Sequence, residues 1–174
     1  LPSVSFTTTG PGFSRVFMRG VANGENGNHS ASLPSVGTYL DEQPITTIQG
    51  ALDIHVYDIA RVESIAGPQG TLYGRNSTGG AINFIVAKPT DKFEGYVGGG
   101  YGSYESASLS GAISGPFSPT LRGRLAYSGQ YAPNDSGYSF NRFTGHKLGK
   151  NSSTALRGQL QWLPSDSFNA RIMY

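Results

Sequence analysis

Apolar and polar residues follow two different rhythms along the chain, with the change near residue 90. Before it, short apolar runs are separated by long polar stretches. Val16–Val21 reads as a strand, and residues 23–35 (NGENGNHSASLPS) as a polar loop rich in turn formers. Val36–Leu40 predicts a second strand. Gln43–Asp58 is ambiguous and leaves room for a short helix. Ile59–Ile65 predicts a third strand, Gly67-Pro68 a turn, and Gln69–Tyr73 one or two helical turns. Ala81–Val86, between Gly79-Gly80 and Lys88-Pro89, is the clearest strand of this half. The expectation is a small mixed α+β domain over 1–90.

After residue 90 the pattern alternates with period two, which marks strands with unlike faces. In Leu121–Tyr131, Leu121, Leu125, Tyr127 and Tyr131 share one face, and Arg122, Arg124, Ser128 and Gln130 the other. Leu156, Leu160 and Trp162 oppose Arg157, Gln159 and Gln161. Phe168, Ala170, Ile172 and Tyr174 oppose Asn169 and Arg171, and Ala107, Leu109 and Ile113 oppose Ser106, Ser108, Ser110 and Ser114. Phe93–Tyr101 fits more loosely around Gly98, Gly99 and Gly100. The connections at 102–105, 116–120 and 164–167 are short, and 132–153 is a long polar excursion. A meander of ~10-residue strands with tight turns on one side and a longer loop on the other matches a transmembrane β-barrel. Trp162 with Phe168, and Tyr101 with Tyr131, cluster at strand ends as girdle aromatics do. A soluble β-sandwich or small barrel has the same alternation, with its apolar face as a core, so period two alone leaves both readings open.

Composition narrows the classes. Of 174 residues, 14% are charged, against ~25% in ordinary soluble domains. The formal net charge of +2 lacks the basic excess of a nucleic-acid protein. The chain has 25 Gly and 11% aromatics, against the polar composition of disordered chains. No Cys is present, so disulfide frameworks, thiolate metal sites and Cys nucleophiles are excluded. No apolar run reaches the ~20 residues of a transmembrane helix, and no secretory h-region opens the chain.

Catalytic and metal chemistry find little support. His29, His55 and His146 stand alone with no i,i+4 pairing, so no metal site is expected. Gly70–Gly74 looks like a phosphate loop but lacks the Gly-Lys-Ser/Thr ending, and no Gly-x-Ser-x-Gly elbow occurs. Asp41-Glu42 and Asp53/Asp58 have no visible base or nucleophile beside them. No cofactor is expected.

The segment DIARVESIAGPQGTLYGRNSTGGAINF, Asp58–Phe84, carries most of the functional information. Gly67-Pro68 suits a turn, since Gly tolerates φ > 0 and Pro fixes φ. Gly74, Gly79 and Gly80 permit sharp reversals or close backbone approach. Arg61 and Glu63, two apart, share a face if the stretch is extended.

This segment closely resembles the plug signature of TonB-dependent outer-membrane receptors, roughly D-I-x-R-V-E-x-x-x-G-P-x-x-x-L-Y-G-x-x-x-x-G-G-x-I-N. The matching positions include Arg61, Glu63, Gly67, Pro68, Leu72, Tyr73, Gly74, Gly79, Gly80 and Asn83. Arg19-Gly20, and Tyr39-Leu40-Asp41-Glu42 at a strand end, stand upstream in the family's order. One departure is Ala66, where family members commonly carry the Arg that pairs with barrel carboxylates; Arg75 and Arg61 are the nearby alternatives.

The resemblance implies a plug over 1–90, incomplete at its amino end. It implies the first five or so strands of an antiparallel meander over 91–174, opening a barrel of about 22 strands. It implies a mostly β protein of the Gram-negative outer membrane. The implied activity is energy-coupled uptake of a scarce ligand, most commonly a ferric siderophore, by a transporter and not an enzyme. Implied partners are a TonB-type coupling protein reached through a segment outside this sequence, outer-membrane lipid and the small ligand, with a monomeric receptor. Wall-facing roles are implied for Arg19, Arg61 and Glu63. Asn23, Asn26, Asn28, His29, Gln43 and Thr46 lie on stretches resembling the apical loops that meet ligand. The competing reading is a β-rich surface binding protein without a channel, such as an adhesin or carbohydrate-binding sandwich. It explains the alternation but not Arg61 through Asn83.

Overall fold

The computed structural model describes residues 4–10, 13–20, 34–47, 50–52, 56–74, 76–133, 141–145 and 151–174. The chain divides into two compact units, Leu1–Ala87 and Lys88–Tyr174.

The first unit holds two four-stranded sheets. β1 (Val4–Gly10), β2 (Phe13–Met18), β5 (Thr46–Thr47) and β6 (Gly50–Leu52) form one, in the order β1-β2-β6-β5. β3 (Val36–Leu40), β4 (Gln43–Pro44), β7 (Ile59–Ala66) and β8 (Gly80–Val86) form the other, in the order β4-β3-β8-β7. Among the described strands only β3 and β8 run parallel. Between β7 and β8 lies a single turn of helix, α1 (Gly70–Tyr73). Val16, Met18, Val36 and Ile82 form the buried cluster, with Val4 and Phe84 packed against it. Burying each such side chain contributes roughly 1.5–3 kcal/mol.

Three expectations are corrected in this unit. Gln43–Asp58 contains no helix among its described residues and supplies β4, β5 and β6. β-branched Ile45, Thr46 and Thr47 favour extended backbone, and Pro44 sits on the edge strand, where its missing N–H costs no ladder bond. β1 was not anticipated, because VSFTTTG has too few apolar residues to announce a strand. The strand expected at Val16–Val21 is Phe13–Met18, ended by Arg19 (φ 52°) and Gly20 (φ 73°).

The second unit is one antiparallel sheet. β9 (Glu94–Gly102), β10 (Ser106–Ser118), β11 (Leu121–Ala132), β12 (Asn151–Ser165) and β13 (Phe168–Met173) pair in chain order. The connection of β9 to β10 is a 3-10 turn at Ser103–Glu105. β10 and β12 run past Pro116 and Pro164, which were expected in the turns. Pro164 falls within the register shift between Trp162 and Ser165, and Pro116, paired with Arg122, borders the one between Pro116 and Ser118. A bulge leaves backbone groups unpaired, so Pro164 fits there without losing a ladder bond.

Register fixes the faces. Ile113 pairs with Leu125, which pairs with Gly158; Gly123 pairs with Leu160, which pairs with Ile172. On this face Val97, Leu109, Ile113, Leu125, Leu156, Leu160 and Ile172 are exposed. On the opposite face Ser114, Arg157, Gln159 and Gln161 are buried. The sheet is therefore inverted: its apolar side chains face outward and its polar ones inward.

Candidate functional site

The signature segment folds into one unit, β7–turn–α1–loop–β8, and nearly every special residue in it has a local reason. Gly67 takes φ 95° before Pro68, and Gly74 ends α1 at φ 72°, both in the left-handed region. The loop back to β8 is laced to its surroundings. Gln69 N–H donates to Ser77 O at 2.8 Å, Gly79 N–H to Ser35 O at 2.8 Å, and the buried Ser77 hydroxyl to Gly74 O at 2.8 Å. Gly80 (φ 144°) lies against Met18 Sδ and the Ile65 carbonyl oxygen, with no space for a Cβ.

Tyr39 fastens α1 to the sheet. Its hydroxyl donates to Tyr73 O at 3.0 Å, and the two rings sit 4.7 Å apart. Burial, reinforced by the Tyr73 phenol, raises the Tyr39 pKa above the ordinary tyrosine value. Leu72, on the same helical turn, is 75% exposed and takes no part in this core.

The β3–β4 turn is strained at two successive residues. Asp41 (φ 50°) and Glu42 (φ 71°) are successive non-glycine residues in the left-handed region, as a type I′ hairpin turn requires. Two bonds hold it: Asp41 N–H to Phe84 O at 2.8 Å, and Glu42 N–H to the Asn83 amide oxygen at 3.2 Å. Asn83 is buried at the end of the signature, and its side chain serves this turn.

Arg61 and Glu63 share a face of β7 and bond each other, Nε to Oε1 at 2.7 Å. Both are accessible, so the pair contributes little to stability. Ala66 is exposed at the end of β7, and Arg75 lies outside the described residues. Arg19 is exposed in its turn.

Of the six expected ligand contacts, Asn23, Asn26, Asn28 and His29 lie outside the described residues, as do His55 and His146. Gln43 is exposed on β4. Thr46 is half-buried, and its hydroxyl accepts from Thr38 N–H at 2.8 Å and donates to Thr38 O at 3.2 Å. It ties β5 to β3. Among the described residues no cluster of three or more His, Cys, Asp and Glu could hold a metal. Sequence reasoning missed Ser77 and the Thr38–Thr46 clasp, because a small hydroxyl in a Gly- and Ser-rich stretch gives no pattern.

In the second unit the polar face carries the charge. Arg122, Gln161 and Arg171 form one cross-strand row, and Ser114, Arg124 and Gln159 the next. Arg124 lies 3.8 Å from Glu94, and Arg171 donates to Gln159 Oε1 at 3.4 Å. On the apolar face Trp162 meets Phe168 edge-on at 5.7 Å beside the tight turn. Among the described residues no helix is long and apolar enough to cross a membrane.

A mixed sheet domain followed by an antiparallel sheet of inverted polarity defines the class of plugged outer-membrane β-barrels. Residues 1–81 match the TonB-dependent receptor plug domain model. The pesticin receptor of Yersinia pestis is 35% identical over 112 residues, 63% of this chain and 15% of that protein. The ferripyoverdine receptor of Pseudomonas aeruginosa is 42% identical over 74 residues, 41% of this chain and 9% of that protein. The crystal structure of the ferric yersiniabactin uptake receptor from Yersinia pestis superposes with a TM-score of 0.78 at 29% identity, over 95% of this chain and 25% of that one. The chain therefore carries a TonB-dependent receptor plug domain over residues 1–81 and resembles outer-membrane receptors of Gram-negative bacteria over most of its length. It spans 15% of the length of the pesticin receptors it matches. Its relatives are transport receptors and not enzymes.

Proposed function

We propose that this chain is the plug (1–90) and the first barrel strands (91–174) of a receptor that imports a scarce ligand, most specifically a ferric siderophore. Uptake is driven through a TonB-type coupling protein, and the receptor works as a monomer without cofactor. The observation that carries this reading is the Asp58–Phe84 signature, folded as β7–α1–β8 and followed in the chain by a sheet whose apolar face is exposed. The names of its relatives supply the ligand class: ferric yersiniabactin and ferripyoverdine are what those receptors are named for.

In this reading the polar face of β9–β13 lines the barrel and the apolar face meets lipid. The tight turns at 119–120 and 166–167 are periplasmic, and the segment after Ala132 is extracellular. Asn23, Asn26, Asn28, His29 and Gln43 offer polar contacts to the ligand, and Thr46 holds the strand beside Gln43. Arg19, Arg61 and Glu63 are plug charges that face the lumen wall. Growth of a strain lacking the receptor gene, supplied with one ferric siderophore at a time, tests the reading. Loss of growth on one siderophore, restored by the gene, is the expected result. Unchanged uptake of every iron chelate would contradict the iron assignment.

A further inference from the structure

We propose that Thr90 and Ser114 form a pin that isolates β9 from movement of the first unit, with Lys88-Pro89 as the hinge between the two. Each unit is anchored where the chain passes from one to the other. Ala87, the last residue of the first unit, donates its N–H to the Asp58 carbonyl at 3.0 Å. Just beyond, Thr90 donates its N–H to the Ser114 hydroxyl oxygen at 2.9 Å. Lys88 and Pro89 alone stand between these anchors. Pro89 fixes its own φ and biases Lys88 towards extended backbone, so the hinge has few ways to move.

The pin is set where β9 joins its sheet. Ser114 pairs with Glu94, the first residue of β9, and on its other side with Arg124 of β11. Ser114 is buried, and its one hydroxyl proton goes to the Gly123 carbonyl of β11 at 3.2 Å. The Ser114 oxygen accepts from Thr90. The Thr90 hydroxyl proton lies between Ser114 Oγ and the Lys92 carbonyl oxygen, each 2.9 Å away. The Lys92 contact closes the bend at 91–92 that returns the chain to β9. Pro89, next to Thr90, is buried as well. One serine thus ties the incoming segment to both β10 and β11.

Without the pin, a displacement of Pro89 would pass straight to Glu94, the end of the β9–β10 ladder. An antiparallel ladder pulled at its end opens one rung at a time, and ends open at the least cost. β9 is poorly made to resist this. Gly95, Gly98, Gly99, Gly100 and Gly102 bring no side chains to pack, and every residue of the strand is exposed. With the pin, the same displacement meets Ser114 first. Ser114 sits between two paired strands, and the β10–β11 ladder runs on from it to Ala107 and Tyr131. Many rungs share the load there.

Hydrogen exchange of the full receptor in vesicles tests this, with the first unit loosened by Ile82→Ala. With the pin intact, Ile82→Ala should speed exchange of the β8 amides and leave those of 95–99 unchanged. In a Ser114→Ala background the same Ile82→Ala should speed exchange at 95–99 several-fold over Ser114→Ala alone. Thr90→Val removes the hydroxyl contact but keeps the Ser114–Gly123 bond. It should give the same coupling in smaller measure, and it decides the matter should Ser114→Ala fail to fold. Ile82→Val is the milder perturbation should Ile82→Ala not fold. The quantity measured is the interaction between two substitutions, which local loosening by Ser114→Ala does not produce. Faster exchange at 95–99 in Ile82→Ala alone would overturn the pin. Purely additive effects in the double variants would overturn it as well.

Discussion

The two units solve opposite solvent problems with the same secondary structure. In the plug unit Val16, Met18, Val36 and Ile82 are buried, and the buried polar side chains of Asn83 and Ser77 each bond a backbone group. Asn83 serves the Glu42 N–H, Thr46 serves Thr38, and Ser77 serves Gly74. In the barrel unit Ile113, Leu125, Leu160 and Trp162 are exposed, while Arg157, Gln159 and Gln161 are buried. The hydrophobic effect acts on both, but in the second the apolar medium is outside the protein. The same period-two alternation thus reports a face and not a core, and only the exposure pattern says which.

The difference can be broken from either side. Ile82→Ala opens a cavity in the plug cluster and should cost about 3–4 kcal/mol. Denaturant unfolding should show the plug transition move while the barrel transition stays. Leu125→Arg places a charge on the lipid face and should cost about 2–4 kcal/mol in a bilayer if the position lies near the midplane. The natural Arg124, one residue away on the other face, shows that the sheet tolerates arginine on its polar side. An unchanged folding yield of Leu125→Arg in vesicles would remove the inversion.

Smaller effects sharpen the plug half. Asn83→Leu strands the Glu42 N–H and should cost about 2 kcal/mol. Tyr39→Phe removes the bond to Tyr73 and should cost about 1 kcal/mol. Because folding raises the Tyr39 pKa, the folded state holds its phenolic proton more tightly than the unfolded chain does. Stability is full below the unfolded pKa of about 10 and falls as pH rises beyond it. In Tyr39→Phe that part of the alkaline loss should vanish, as followed by unfolding at a series of alkaline pH values. Smallest is Glu42→Gly, which relieves a left-handed residue and should raise stability by about 0.5–1 kcal/mol.

What the sequence disclosed follows the strength of its patterns. The strands from Leu121 to Met173 were legible because apolar residues recur at every second position over long runs. The short strands at 43–52 were not, since two or three residues carry no period and their pairing comes from distant partners. Within the signature, the turn at Gly67-Pro68 was readable from residue chemistry, and the one or two helical turns expected at Gln69–Tyr73 are the single turn α1. The bonds of Asn83 to Glu42 and of Tyr39 to Tyr73 were hidden, because they join positions 41 and 34 residues apart. The Arg61–Glu63 pair was foreseeable in geometry. Its partner was not, for the two bond each other across one strand face. The candidate ligand loop at 23–35 was visible only as polar composition.

The orientation of β11 decides the account most directly. The chain has no Cys, so single cysteines at 124, 125, 126 and 127 can each carry a spin label without background. In vesicles, labels at 125 and 127 should be accessible to membrane-dissolved oxygen and shielded from a water-soluble nickel chelate. Labels at 124 and 126 should not share that oxygen accessibility. Four labels with the same accessibility, or the opposite alternation, would contradict a wall with lipid on one side and a lumen on the other.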